Sequence, residues 1–117
     1  DWLLLFVQAA LVVVGCLTPE GDIDEARMRV LVEAAGPLSV TCHRAFDMTR
    51  DAAGAVEALV RAGVHRVLTS GQRDSVIEGI PTIRATVQAA RGRLGVIACG
   101  GLDAANIARV RDETGAR

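Results

Sequence analysis

The chain has 117 residues, half of them apolar, 23% charged and only 3% aromatic, with a formal net charge of -1 and no lysine. This describes one folded domain or a piece of one, and it argues against a nucleic-acid surface, which needs clustered cations beside stacking rings. Cysteines at 16, 42 and 99 form no CxxC pair, and an odd count without an export signal suits free thiols in a reducing compartment, so a cytoplasmic location is expected.

In chain order, residues 2–14 are apolar apart from Gln8. The run is too short to span a bilayer, and it lacks the basic region and small-residue cleavage site of a signal peptide. No membrane segment is expected. Residues 1–9 read as the tail of a helix feeding a strand at 11–14, in a chain that begins mid-protein. Apolar strand-like runs then recur near Val13, Val40, Val67 and Val96, separated by 27 to 29 residues, the length of a strand plus a crossover helix.

The helices between them are well punctuated. In the first, Met28, Leu31, Val32 and Ala35 share a face, Asp24 is the expected N-cap, and Gly36 and Pro37 stop it. The second puts Val56, Leu59 and Val60 on one side before Gly63. The third carries Ile80, Ile83 and Val87, with Pro81 in its first turn and Ser75 and Glu78 capping a short turn ahead of it. For the fourth, Asp103 is the expected N-cap, Leu102 and Ile107 the ends of a hydrophobic staple, and Gly115 the stop. Strands apolar on both faces that alternate with helices imply a parallel α/β sheet, either open and doubly wound or closed into a barrel, and periodicity does not choose between these.

Four strings narrow the choice: GCLTPEGDID from Gly15, VTCHRAFD from Val40, RVLTSGQ from Arg66 and ACGGLDAANI from Ala98. Together they resemble the copper homeostasis protein CutC family, from about Val13 to Gly115. The resemblance implies a parallel (β/α)8 TIM-type barrel. Such a barrel needs about 250 residues, so residues 1–117 would be a partial barrel domain of about four βα units, strand four to helix seven. An open half barrel leaves two sheet edges that pair with other chains, so self-association is expected.

Active sites in such barrels gather on the loops after the strands. Cys16 follows the first strand, His43, Arg44 and Asp47 the second, Ser70, Gly71 and Gln72 the third, and Gly100 and Gly101 the fourth. His43 is the candidate for proton transfer, since an imidazole works as acid or base near neutrality. By strand alternation it shares a face with Thr41, which we point into the barrel. The alternative is a core histidine satisfied by Thr41 or a backbone carbonyl. Arg44 can bind a carboxylate or phosphate bidentately and Asp47 can orient it, or the two can simply brace the loop as an ion pair. Gly100 and Gly101 lead into a helix start, where exposed amides suit an anion. This stretch also looks like the corresponding loop of phosphoribosylanthranilate isomerase. The other reading of the pair is a tight strand-to-helix turn.

The resemblance further implies copper, which in a reducing cytoplasm means Cu(I) and sulfur ligands. Cys42, opposite in parity to His43, should pack against the helices as a small hydrophobe. Cys16 is the thiol best placed as a metal ligand, with Met48 behind it. The cysteines proposed as ligands in the family lie on its first two strands, outside the matched part. Two functions follow: copper binding and tolerance in the cytoplasm, or a barrel enzyme acting on a small phosphorylated or carboxylated metabolite. The sequence leaves catalysis itself open.

Overall fold

The computed structural model describes residues 11–116; the expected helix tail at 1–9 lies outside the described residues. Four strands, β1 (Leu11–Val14), β2 (Ser39–Cys42), β3 (Arg66–Thr69) and β4 (Gly95–Ala98), form one sheet in the order β1-β2-β3-β4. All pairs are parallel, with Val13 opposite Thr41, Thr41 opposite Arg66 and Arg66 opposite Gly95. Helices α1 (Glu25–Ala35), α2 (Ala52–Ala62), α3 (Ile80–Ala90) and α4 (Ile107–Thr114) alternate with them. Because every crossover moves the chain one strand further in the same direction, the order is that of a barrel wall. A doubly wound sheet reverses direction at its centre.

The apolar runs form strands because alternate residues have two different jobs. Val40, Cys42, Val67, Thr69, Val96 and Ala98 are buried on the helix-covered face. Met28, Phe46, Val56, Leu59 and Ile83 join the same buried core. Val13, Thr41, Arg66, Leu68 and Ile97 lie on the other, concave face, where Val13 is 47% exposed. Neither β1 nor β4 has a second strand neighbour among the described residues.

Most helix signals act as expected. The Asp24 side chain accepts the Arg27 amide, Gly63 and Gly115 close α2 and α4 with left-handed φ values of 88° and 78°, and Pro81 sits in the first turn of α3. The Ser75 hydroxyl accepts the Glu78 amide at 3.4 Å.

The start of α4 differs from expectation. Asp103 takes the Ala105 and Asn106 amides on its Oδ1, but Asn106 returns its own side chain to the Asp103 amide and the Gly101 carbonyl. Residues 103–106 thus close into a turn, and the helix begins at Ile107 with Asn106 as its cap. The expected staple is not buried either. Leu102 and Ile107 stay 37% and 54% exposed, lining an apolar groove of about 460 Å³ with Ala98 and Val110.

Candidate functional site

After β2 the chain turns at once into a 3-10 helix, Arg44–Met48, which lays Arg44 and Asp47 across the end of β3. Asp47 is the hub. Its Oδ1 accepts the Thr69 hydroxyl and the Gln72 amide at 3.1 Å; its Oδ2 accepts the Ser70 amide at 3.0 Å, the Ser70 hydroxyl at 2.9 Å and Arg44 Nε at 3.2 Å. Burial alone would raise the carboxyl's pKa. The hydrogen bonds from Thr69, Ser70 and Gln72 outweigh it and hold the group below its ordinary 3.8.

Those contacts decide what the neighbours can do. The Gln72 side-chain amide donates to the carbonyl and hydroxyl of Thr49 at 2.8 and 2.9 Å, and Gln72 itself takes a left-handed φ of 62°. Ser70 is fully buried, and Gly71 packs directly on the Gly79 backbone. The SGQ string and Asp47 are therefore joined into one knot, with Thr69, Thr49 and Gly79 as members that sequence reasoning missed. Thr69 lay within the RVLTSGQ string and Thr49 just beyond VTCHRAFD, whereas Gly79 carried no signal.

Arg44 is the knot's outward-facing member. Its Nη2 donates to the Ser70 hydroxyl at 2.6 Å, while the side chain as a whole remains 47% exposed. Gly100 lies against it: a Cβ placed there would stand 3.0 Å from the Ser70 Cβ and 3.5 Å from Arg44 Nη2. Gly100 and Gly101 both have positive φ, 98° and 86°, which the turn requires and other residues rarely adopt. The structure thus brings Arg44, Asp47, Ser70, Gln72 and Gly100 together.

His43 stands apart from that knot. It is exposed, not a core residue, and its Nδ1 accepts the Ala45 amide at 3.0 Å, capping the 3-10 helix, while Nε2 makes no hydrogen bond among the described residues. The ring lies on Gly15, where any Cβ would come within 2.6 Å of its Cε1. Neither expected internal partner is used. Thr41 instead accepts Arg66 Nε at 3.3 Å.

The cysteines have different surroundings. Cys42 is fully buried in the core, and burial pushes its thiol up to about 12. Cys99, half-buried near Arg44, is also raised by burial. Cys16 is half-buried after β1. Met48 is 74% exposed. Among the described residues no three His, Cys, Asp or Glu side chains come together as a metal site.

Iodoacetamide at pH 8 should therefore label Cys16 first, Cys99 more slowly, and Cys42 only after denaturation, as read by peptide mass mapping. Equal labelling of Cys42 and Cys16 in the native chain would contradict that burial. A second consequence concerns alkali. Because the unfolded thiol ionises near 9.0 and the folded one near 12, stability linked to Cys42 is intact below pH 9 and is lost as pH rises through that interval.

Comparison with known proteins adds the context. The family model described as CutC family matches residues 6–117. The chain is 64% identical over 104 residues to the CutC family protein of Mesorhizobium japonicum, covering 89% of this chain and 40% of that protein. With the CutC family protein of Parabacteroides distasonis it shares 51% over 106 residues, 91% of this chain and 44% of the relative. The chain thus spans about two fifths of the length of these relatives. Among solved structures it is similar to CutC of Streptococcus agalactiae, described as a candidate copper homeostasis protein. There the TM-score is 0.82 at 32% identity, over 89% of this chain and 51% of that one.

Proposed function

The chain belongs to the CutC family, and from that premise we propose that it serves copper homeostasis in the cytoplasm. The observation that carries this reading is the family match along residues 6–117, supported by the fold shared with the S. agalactiae protein. No helix among the described residues is long and apolar enough to cross a membrane, which is compatible with a cytoplasmic place of action. The enzyme reading is not favoured by these likenesses.

The donor set restricts how copper could be met. Cu(I) binds thiolates and thioethers, but Cys42 is held as a buried thiol and Cys99 is pushed the same way. The described residues do not fit a multi-sulfur Cu(I) site. A copper contact made by this chain falls first to Cys16, with the exposed Met48 thioether behind it.

Two measurements test the proposal. Cells lacking the encoding gene should change their growth inhibition by copper, and unchanged copper sensitivity would sink the reading. In a titration against a competing Cu(I) chelator, the purified chain should surrender its copper. Retention of one equivalent that disappears in Cys16→Ser would instead establish Cys16 as a direct ligand.

A further inference from the structure

The two ends of the sheet are open in a complementary way. β1 and β4 each have one strand neighbour among the described residues, and all four strands run in the same direction. Each end therefore presents a row of backbone groups able to pair with a further strand. Apolar surface adjoins both edges. Val13, on the concave face of β1, is 47% exposed, and beside β4 lies the groove of about 460 Å³ lined by Ala98, Leu102, Ile107 and Val110.

What fits this groove is one more strand and helix in the same parallel sense. α3 meets α4 through Arg84 on the Glu113 carbonyl and Val87 against Gly115, whereas Ile107 and Arg111 line the groove on the other flank of α4. On β1, Val12 and Val14 belong to the helix-covered face, since they pair with the buried Val40 and Cys42. A β1 strand laid parallel to β4 delivers those two valines to the groove. One edge of the chain thus carries what the other edge lacks. A barrel of this type closes with eight parallel strands. The described residues supply four, in a fold that covers 51% of the S. agalactiae chain at a TM-score of 0.82.

We propose that two copies of this chain associate about a twofold axis running along the barrel, β4 of each pairing with β1 of the other, and close an eight-stranded wall. Rotation about that axis keeps every strand parallel and uses both edges of both copies, so the assembly stops at two. Val13 of each copy becomes interior. The association is independent of copper. It also has an identifiable cost. Arg66 lies on the concave face, donates to Thr41 and forms no ion pair among the described residues. Val13, Thr41, Leu68 and Ile97 on the same face offer it no carboxylate, so closure brings two guanidiniums into one interior.

Sedimentation velocity of the full chain tests the proposal. A single dimeric species is expected, its mass unchanged as concentration rises. Val13→Lys should weaken the dimer at least about tenfold, because a side chain that water reaches in one copy becomes a buried charge in two. Its far-UV circular dichroism should remain that of the parent. Arg66→Gln should lower the dissociation constant several-fold by removing the repulsion between copies, an effect that association through the outer helices does not produce. A monomer, a series of growing oligomers, or a dimer indifferent to either substitution overturns the proposal. Should Val13→Lys fail to fold, the mass of the unsubstituted chain and the response to Arg66→Gln still decide.

Discussion

Replacing Gly79 by alanine is expected to cost more than about 3 kcal/mol of stability, beyond the usual range for one added methyl group in a packed interior. The reason is steric and entirely backbone. A Cβ at Gly79 overlaps the Ser70 carbonyl and comes within 2.8 Å of the Gly71 Cα, so no flexible side chain can yield. Gly79 itself has φ of -87°, a conformation alanine adopts freely, and dihedral strain contributes nothing. The comparison that isolates the effect is Gly92→Ala. There φ is 76° but nothing lies within 4 Å, so only the left-handed strain of about 1 kcal/mol is expected. Urea denaturation should separate the two variants clearly, and similar midpoints would show that the Ser70 loop moves aside without cost. The effect also reaches the site, because Ser70 is both the anchor of Arg44 and the residue on which Gly79 presses.

Much of the fold was legible because its signals are local. Each strand is an apolar run of fixed spacing, and each helix has a glycine stop or an acidic cap within a few residues of its end. The choice between an open sheet and a barrel was not local. It needed either the strand order, which the structure provides, or the family motifs. At α4 a local rule misled: Asp103 does accept two amides as a cap should, but Asn106 competes for the same turn and delays the helix by a few residues.

At the site, parity was enough to put Cys42 in the core and to separate it from His43. It said nothing of where the strand-end side chains would turn next. Asp47 was read as a partner for Arg44, which it is, yet most of its contacts go to a loop 22 to 25 residues further along the chain. Ser70 and Gln72 looked like ligand groups because they are polar residues at a strand end. The Ser70 hydroxyl and the Gln72 side-chain NH2 are both engaged within the protein, and only the packing of the 3-10 helix against β3 reveals it.

That packing makes Asp47→Asn the most informative single substitution. Whichever way the new amide is oriented, one carboxylate oxygen becomes an NH2 group facing donors: the Gln72 amide and Thr69 hydroxyl on one side, or the Ser70 amide and Arg44 Nε on the other. A buried donor left facing a donor, together with loss of a charged acceptor, should cost about 3 kcal/mol. Asp22→Asn is the control, since its pair with Arg50 is exposed on both sides and should matter by less than about 1 kcal/mol. The acid limb carries an independent signature. Asp47 titrates below 3.8 in the folded chain, so the unfolded chain takes up its proton first as pH falls. The stability it contributes is present above that value and is lost below it, as pH falls through the folded pKa. Asp47→Asn should therefore lower stability at pH 7 and flatten its decline below pH 4, so that the two unfolding curves converge in acid. Curves that stay parallel from neutral pH to pH 3 would mean that the carboxylate's charge is not what holds the β3 loop against the 3-10 helix.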